Sequence, residues 1–344
     1  MKSKIFSNRV IQVQQLLKKW SAEGCLIEHP LDLFYLTGLQ MSAGALLILQ
    51  KRAALFVDDR YLAFAKTSSP FPVYPLQEVS SHLRKVMVFD SRQTTVDRFE
   101  KLKAWKTEWK GVSEPLKTIR AMKEKEEIKA LAKSCQLLWK GFIYLKRRLK
   151  VGVTEKEIAL EFELFCRKQG AEKLSFEPII AFGKNTAYPH HRAGDTKLKK
   201  GDVVLCDMGV VVKGYHSDMT RTFFFGKGDR RLLEIDSVVK EAFTAALQLC
   251  QPGTRVGDLD AAACRIIQKA GFEKLLAHSL GHGIGLETHE FPRLKLKGED
   301  DAILLQEGMV ITIEPGLYLA GVGGVRHEDM VVITQNGHDT ISGN

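Results

Sequence analysis

The sequence predicts two domains of mixed α and β structure. An α/β domain arranged in three layers covers residues 1–121, and an α+β domain built from two similar halves covers residues 122–344. Three observations predict it. In the first 121 residues, short apolar strands alternate with helical stripes, the pattern of layered α/β folds. At Met122–Lys125 (MKEK) a charged run opens a long helix. Further on, Gly152–Gly170 aligns without gaps to Gly253–Gly271, an offset of 101 residues. In both copies a long helix precedes and a β-rich stretch follows.

Taken in order, Asn8–Trp20 has helical apolar spacing at Val10, Val13, Leu16 and Leu17. Pro30–Gly38 (PLDLFYLTG) reads as an aromatic loop or a short helix. Ala45–Leu49 and Ala53–Val57 are short strands separated by Gln50, Lys51 and Arg52, and Val86–Phe89 is a third. Beyond the boundary, Ile128, Leu131, Cys135, Leu138, Phe142, Leu145 and Leu149 recur at spacings of three and four, one core-facing stripe on a helix. Thr154 and Glu157 form a capping box for the next helix, which Gly170 ends. A cleft between the two halves is a natural place for a ligand.

Composition narrows the function classes. Apolar residues make up 44% and charged residues 27%, normal for a globular protein. No window approaches the ~20 apolar residues of a membrane span, and MKSKIFSNRVIQ lacks the apolar core of a signal peptide. The six cysteines form no CxxC pair and read as buried thiols of a reducing cytoplasm. The net charge of +10 comes from Lys and Arg spread along the chain. That is the pattern of a solvated face rather than a nucleic-acid surface.

The chemistry centres on Asp202–Phe225, which reads as a β-hairpin. Val203, Val204 and Leu205 begin one strand, Lys213-Gly214 is the turn, and Tyr215–Phe225 returns. With a two-residue loop, Val212 faces Tyr215 and Asp218 faces Gly209, so Asp207 and Asp218 become diagonal neighbours on one face. Two acids side by side in an apolar hairpin call for a positive partner, and a divalent cation is the economical one. The plainer alternative is that both sit near water at strand ends.

Three histidines follow in a glycine-rich segment, His278, His282 and His289, at spacings of four and seven. The segment is not HExxH, so a helical zincin arrangement does not apply. Met309–Glu314 reads as a strand ending at Glu314. Gly324–Thr334 reads as another with Glu328 in its middle, where a partner is required and Arg326 offers a simple salt bridge. Taken together, Asp207, Asp218, Glu314 and Glu328 are four carboxylates on strands, and His282 adds a nitrogen. Four negative charges match two divalent cations. Oxygen-rich ligation with one imidazole suits Mn²⁺, Co²⁺, Fe²⁺ or Zn²⁺. Such a pair, ~3.5–4 Å apart, activates water near neutral pH.

These residues resemble the pita-bread metallopeptidases, in the branch of Xaa-Pro aminopeptidases and Xaa-Pro dipeptidases (prolidases). The motifs are LCDMG with Asp207, GYHSDMTRTF with Asp218, GHGIGLETHE with His282 and His289, TIEPGLY with Glu314, VRHEDMVV with Glu328, and AFGKNTAYPHH with His190. The match runs from about Met122 to the end. It extends more loosely into the first domain, a creatinase/prolidase-like N-domain, through DLFYLTG, SAGALLIL and FVDDRY. The resemblance implies a pita-bread catalytic domain with a pseudo-two-fold repeat and two divalent ions, Mn²⁺ first among them. Asp207 would bind one ion, Asp218 and Glu328 would bridge both, and His282 and Glu314 would hold the other. Glu314 would also manage the proton of the attacking water. His289 would stabilise the tetrahedral intermediate, His190 would hydrogen-bond the substrate, His278 would line the proline pocket, and Arg326 would orient the carboxylates. His327 departs from the family pattern, which has an apolar residue there, and alternation points it away from the metals. The second histidine of His190-His191 has no assigned role.

The leading expectation is a cytoplasmic, homodimeric Xaa-Pro aminopeptidase that takes peptides with proline second and engages neither nucleic acid nor membrane. The nearest alternative is a dipeptidase restricted to Xaa-Pro, which would need a cation, such as an Arg, for the free carboxylate. Methionine aminopeptidase and a catalytically inactive binding protein of the same fold rank below both.

Overall fold

The computed structural model describes residues 2–343, with side chains from residue 4 onward. The described residues fall into two compact units, the first ending at Ile119 and the second opening at Arg120. No described helix is long and apolar enough to cross a membrane.

The first unit is built on one mixed sheet of six strands, in the order Val73–Pro75, Arg52–Val57, Ala45–Leu49, Gly24–Ile27, Val86–Asp90 and Glu108–Val112. Its hairpin pairs Ala45 with Phe56 and Leu49 with Arg52, so Leu47, Leu49 and Phe56 join a core with Leu26, Met87 and Phe89. The strands Gly24–Ile27, Val73–Pro75 and Glu108–Val112 are additions to the three read from sequence. They are short or partly polar, which hides them from an apolar-run criterion. Pro30–Thr37 is a helix, closed by Gly38 in the left-handed region at φ 74°.

The second unit has two halves with separate cores. Helices Lys125–Arg148 and Glu155–Lys168 cover the sheet of Ile179–Phe182, Val203–Met208 and Met219–Phe224. Helices Arg230–Leu247 and Val256–Lys269 cover Glu290–Leu294, Gly281–Gly283, Val310–Ile313, Asp329–Thr334 and Gly337–Thr340. The repeat read from sequence is visible residue for residue, since Glu155–Lys168 and Val256–Lys269 are offset by the same 101 positions. The capping box at Thr154 and Glu157 is present, and a second, at Glu124 and Glu127, opens the long helix.

The hairpin register is as expected: Val212 pairs with Tyr215, and Thr220 with Asp207. The ladder is interrupted at Gly209, where a Cβ would come within 2.2 Å of the Ser217 carbonyl oxygen. That break divides the hairpin between two sheets and frees Asp218 from strand pairing.

Candidate metal centre

Two sequence expectations about the carboxylates need correction. Of the four, only Asp207 lies inside a strand. Asp218 precedes Met219–Phe224, Glu314 follows Val310–Ile313, and Glu328 sits between Gly323–Arg326 and Asp329–Thr334, which belong to different sheets. The reason is local: the Glu328 N–H donates to the Thr220 carbonyl, so the chain steps out of one ladder before entering the next. Strand ends converge where strand middles cannot, so three acids reach one point. The second correction concerns Arg326, whose salt bridge is to Asp207 rather than Glu328. Its Nη2 reaches Asp207 Oδ2 at 2.5 Å, Nη1 reaches the Tyr318 hydroxyl at 2.6 Å, and Nε reaches Thr220 Oγ1 at 3.0 Å. Glu328 instead accepts from Thr220 Oγ1 at 2.8 Å.

Asp218, His282 and Glu328, all buried, bring ligand atoms within 4.8 Å of one another. His282 Nε2 is 3.4 Å from Glu314 Oε1 and 4.0 Å from Asp218 Oδ2. On the other side of the ring, Nδ1 lies 3.0 Å from the Gly283 carbonyl and donates to it, which leaves Nε2 as a lone pair facing the acids. His289 stacks at an angle on His282, ring centres 4.3 Å apart. His278 Nε2 bonds the Tyr318 hydroxyl at 2.8 Å while Nδ1 meets the Ser279 carbonyl. Gly316 makes this approach possible, since a Cβ there would lie 2.5 Å from the Tyr318 hydroxyl and 2.9 Å from His278 Nε2. His190, on the loop after Ile179–Phe182, is exposed, and its charge bears on both His278 and His289. His327 stays out of the centre, against Asp329 and the ring of Phe243.

Burial and like charge dominate the electrostatics here. Burial pushes Asp218 well above the usual carboxylate range, and Glu328, Asp207 and Glu314 push it further. Burial and the charges of Glu314 and Asp207 do the same to Glu328. Glu314 rises to about 8, chiefly through burial, with Arg326 opposing and Asp207 adding. His282 falls to about 3 through burial and the nearby His289, so its imidazole is neutral near neutral pH. Asp207 Oδ1 is buried without any hydrogen-bond partner. Three buried acids and the half-buried Glu314 facing one guanidinium, an imidazole lone pair turned inward and an unmatched carboxylate oxygen fit divalent cations bound by oxygen and nitrogen.

Several residues here escaped the sequence reading. Thr220 links Glu328 to Arg326, and the Tyr318 hydroxyl links Arg326 to His278. Arg293, paired with His282 across the strands, is exposed and adds positive potential at both His282 and His289. Strand pairing was the available signal for Tyr318. Gly316–Leu319 runs antiparallel to Gly323–Arg326, and alternation puts Tyr318 and Arg326 on one face.

Comparison with known proteins agrees with this geometry. The model of metallopeptidase family M24 matches residues 129–335, and that of the creatinase/prolidase N-terminal domain matches residues 9–122. A Xaa-Pro dipeptidase of Pyrococcus horikoshii is 34% identical over 97% of this chain and 96% of that protein. The solved Xaa-Pro dipeptidase from Bacillus anthracis is 30% identical, with a TM-score of 0.95 over 98% of each chain. The solved X-Pro aminopeptidase from Thermotoga maritima is 28% identical, with a TM-score of 0.88 over 97% of this chain and 98% of that one. The chain belongs to metallopeptidase family M24, with a creatinase/prolidase N-terminal domain ahead of its pita-bread catalytic domain.

Proposed function

We propose that this protein is a Xaa-Pro dipeptidase, hydrolysing the bond between a first residue and a C-terminal proline. This revises the leading expectation of an aminopeptidase. The observation that carries it is the full-length similarity, at 34% identity, to relatives named Xaa-Pro dipeptidases. The 28% similarity to an X-Pro aminopeptidase keeps the longer-peptide activity as the second reading.

Asp207, Asp218, His282, Glu314 and Glu328 are the residues that would hold two divalent ions, with Asp218 and Glu328 shared between them; Mn²⁺ is the proposed metal. Those ions, when bound, supply Lewis acidity and lower the pKa of water enough to furnish a nucleophile near neutral pH. The residues do the rest. Glu314 takes a proton from the attacking water and returns it to the departing proline nitrogen. His289 donates to the carbonyl oxygen as negative charge develops on it. His190 hydrogen-bonds the substrate beside the scissile bond, and His278, fixed by Tyr318, lines the proline side. Arg326 is committed to Asp207 and keeps that carboxylate oriented. Arg293, exposed and bonded through Nε to Ser279 Oγ at 3.4 Å, is the guanidinium that would meet the carboxylate of a substrate proline. A homodimer is the proposed assembly, which sedimentation velocity measures directly.

The test is turnover of Ala-Pro, Ala-Pro-Ala and Met-Ala by the Mn²⁺-loaded protein. The dipeptidase reading expects Ala-Pro cleavage alone, with Arg293→Met raising KM far more than it lowers kcat. Equal cleavage of the tripeptide would favour the aminopeptidase reading. Cleavage of Met-Ala in preference to Ala-Pro would reject both.

A further inference from the structure

The pair His190-His191 contains one histidine that the mechanism does not use. His191 Nε2 lies 2.8 Å from Glu155 Oε2, and the Glu155 side chain has no exposure at all. The same carboxylate accepts three more donors. These are the backbone N–H of Phe182 at 2.8 Å, the side-chain amide of Asn185 at 2.8 Å and the backbone N–H of Gly194 at 3.0 Å. Four donors fill the acceptor positions of one carboxylate. They are also spread along one segment, residues 182–194, which carries His190 between Asn185 and Gly194.

Glu155 is not needed where it stands for the helix it opens. That helix is capped by Thr154 and Glu157. The internal repeat supplies a control, because the position 101 residues on is Val256, buried and apolar at the same point of the matching helix. A loop crosses both helix starts on matching backbone bonds, the Glu155 N–H to the Thr196 carbonyl in one half and the Val256 N–H to the Ile303 carbonyl in the other. What differs is the side chain: the half without His190 places a hydrocarbon there, and the half with His190 buries an anion. A buried carboxylate is stable only when its partners stay in place, so the bonds that stabilise Glu155 also fix the loop. A second tether, from the Gly324 N–H to Thr186 Oγ1 at 2.8 Å, holds the loop's first half, while the half with His190 is held by the Glu155 contacts of His191 and Gly194 and by the Lys156 N–H on the Gly194 carbonyl.

We propose that Glu155 and His191 are positioning residues that seat His190 beside His278 and His289. The proposal rests on the reading of His190 as a substrate contact. On Ala-Pro, with the Mn²⁺-loaded protein, His191→Leu should lower kcat/KM by roughly 10- to 10²-fold, the scale of a misplaced catalytic contact. His191→Gln, which keeps an N–H near the Nε2 position, should recover most of it. In a His190→Ala background, His191→Leu should add less than about a twofold change, because both act through one group. Amide hydrogen exchange should quicken in residues 182–194 of His191→Leu, and Glu155→Gln should show the same pattern if it folds. The proposal is overturned if His191→Leu matches the parent, or if its loss is undiminished in the His190→Ala background. Full activity of His190→Ala itself would remove the role of His190 and the clamp with it. A damaged His190→Ala on which His191→Leu has an additive effect would remove the clamp alone.

Discussion

Two clusters of buried acid lie in the catalytic unit, and they are handled in opposite ways. Glu290, the residue after His289, is met by Arg120 Nη2 at 2.5 Å and Lys123 Nζ at 3.2 Å, and it accepts the N–H groups of Leu286 and Glu287. Burial alone would push its carboxyl up, but Lys123 and Arg120 overcome that and hold it at about 2. At the centre, Asp218 and Glu328 are buried as deeply and Glu314 less so, but all share one guanidinium with Asp207, and all three carboxyls are pushed up instead. Burial is common to both clusters; charge balance is what differs. An acid compensated by side chains fixes a loop, and acids left uncompensated define a place for cations.

The comparison can be broken most severely at Asp218. Asp218→Ala should abolish turnover and empty both metal positions, since the carboxylate proposed as shared would serve two ions; elemental analysis showing two tightly held ions would refute the sharing. Next is His289→Ala, expected to keep its metals while kcat falls roughly 10²–10³-fold, with KM changing less. Full kcat with normal metal content would remove His289 from the mechanism. Stability sharpens the contrast through its sign. Glu290→Ala takes the anion from the buried Lys123, while Arg120 keeps Glu287, and should cost about 3–5 kcal/mol in urea unfolding, with or without metal. Glu328→Gln, measured on chelator-treated protein, should instead raise stability by relieving repulsion; a loss comparable to that of Glu290→Ala would show that the two clusters do not differ. The smallest effect is in pH. Glu314 titrates near 4.5 unfolded and about 8 folded. The folded state therefore binds the extra proton between those values, and metal-free stability should fall as pH rises through that window. Glu290 runs the other way: its contribution is present above about 4.5 and lost as pH falls towards 2. Asp218 and Glu328 push the same way, whereas His282, held at about 3, makes stability rise with pH up to about 6.5. A melting temperature of the chelated protein that stays flat from about pH 6.5 to 8 would contradict the raised carboxyls.

Much of this was legible in the sequence because it is local. The register joining Asp207 to the Asp218 strand follows from a two-residue turn and strict alternation. The matched helices follow from a gapless repeat whose first copy carries a capping box. What escaped is non-local. Nothing near Glu328 shows that its strand is divided between two sheets, because the division is imposed by the distant Thr220 carbonyl. The ion pair of Arg326 looked like a two-residue contact with Glu328, yet the guanidinium reaches across 119 positions to Asp207. His191 could not be assigned because its partner, Glu155, reads as an ordinary solvated helix residue until the loop is folded over it.

The distribution of the acids along the chain has a consequence for folding. Asp207 and Asp218 belong to the first half of the catalytic unit, while His282, Glu314 and Glu328 belong to the second. A nascent chain that has emerged as far as the first hairpin carries two neighbouring acids and none of the residues that complete the site. Cation capture therefore waits for nearly the whole polypeptide, and the free energy of that capture is added to the native state alone. On the proposed ligand set, bound metal would join the two halves of the catalytic unit only after some hundred residues of intervening chain have found their place.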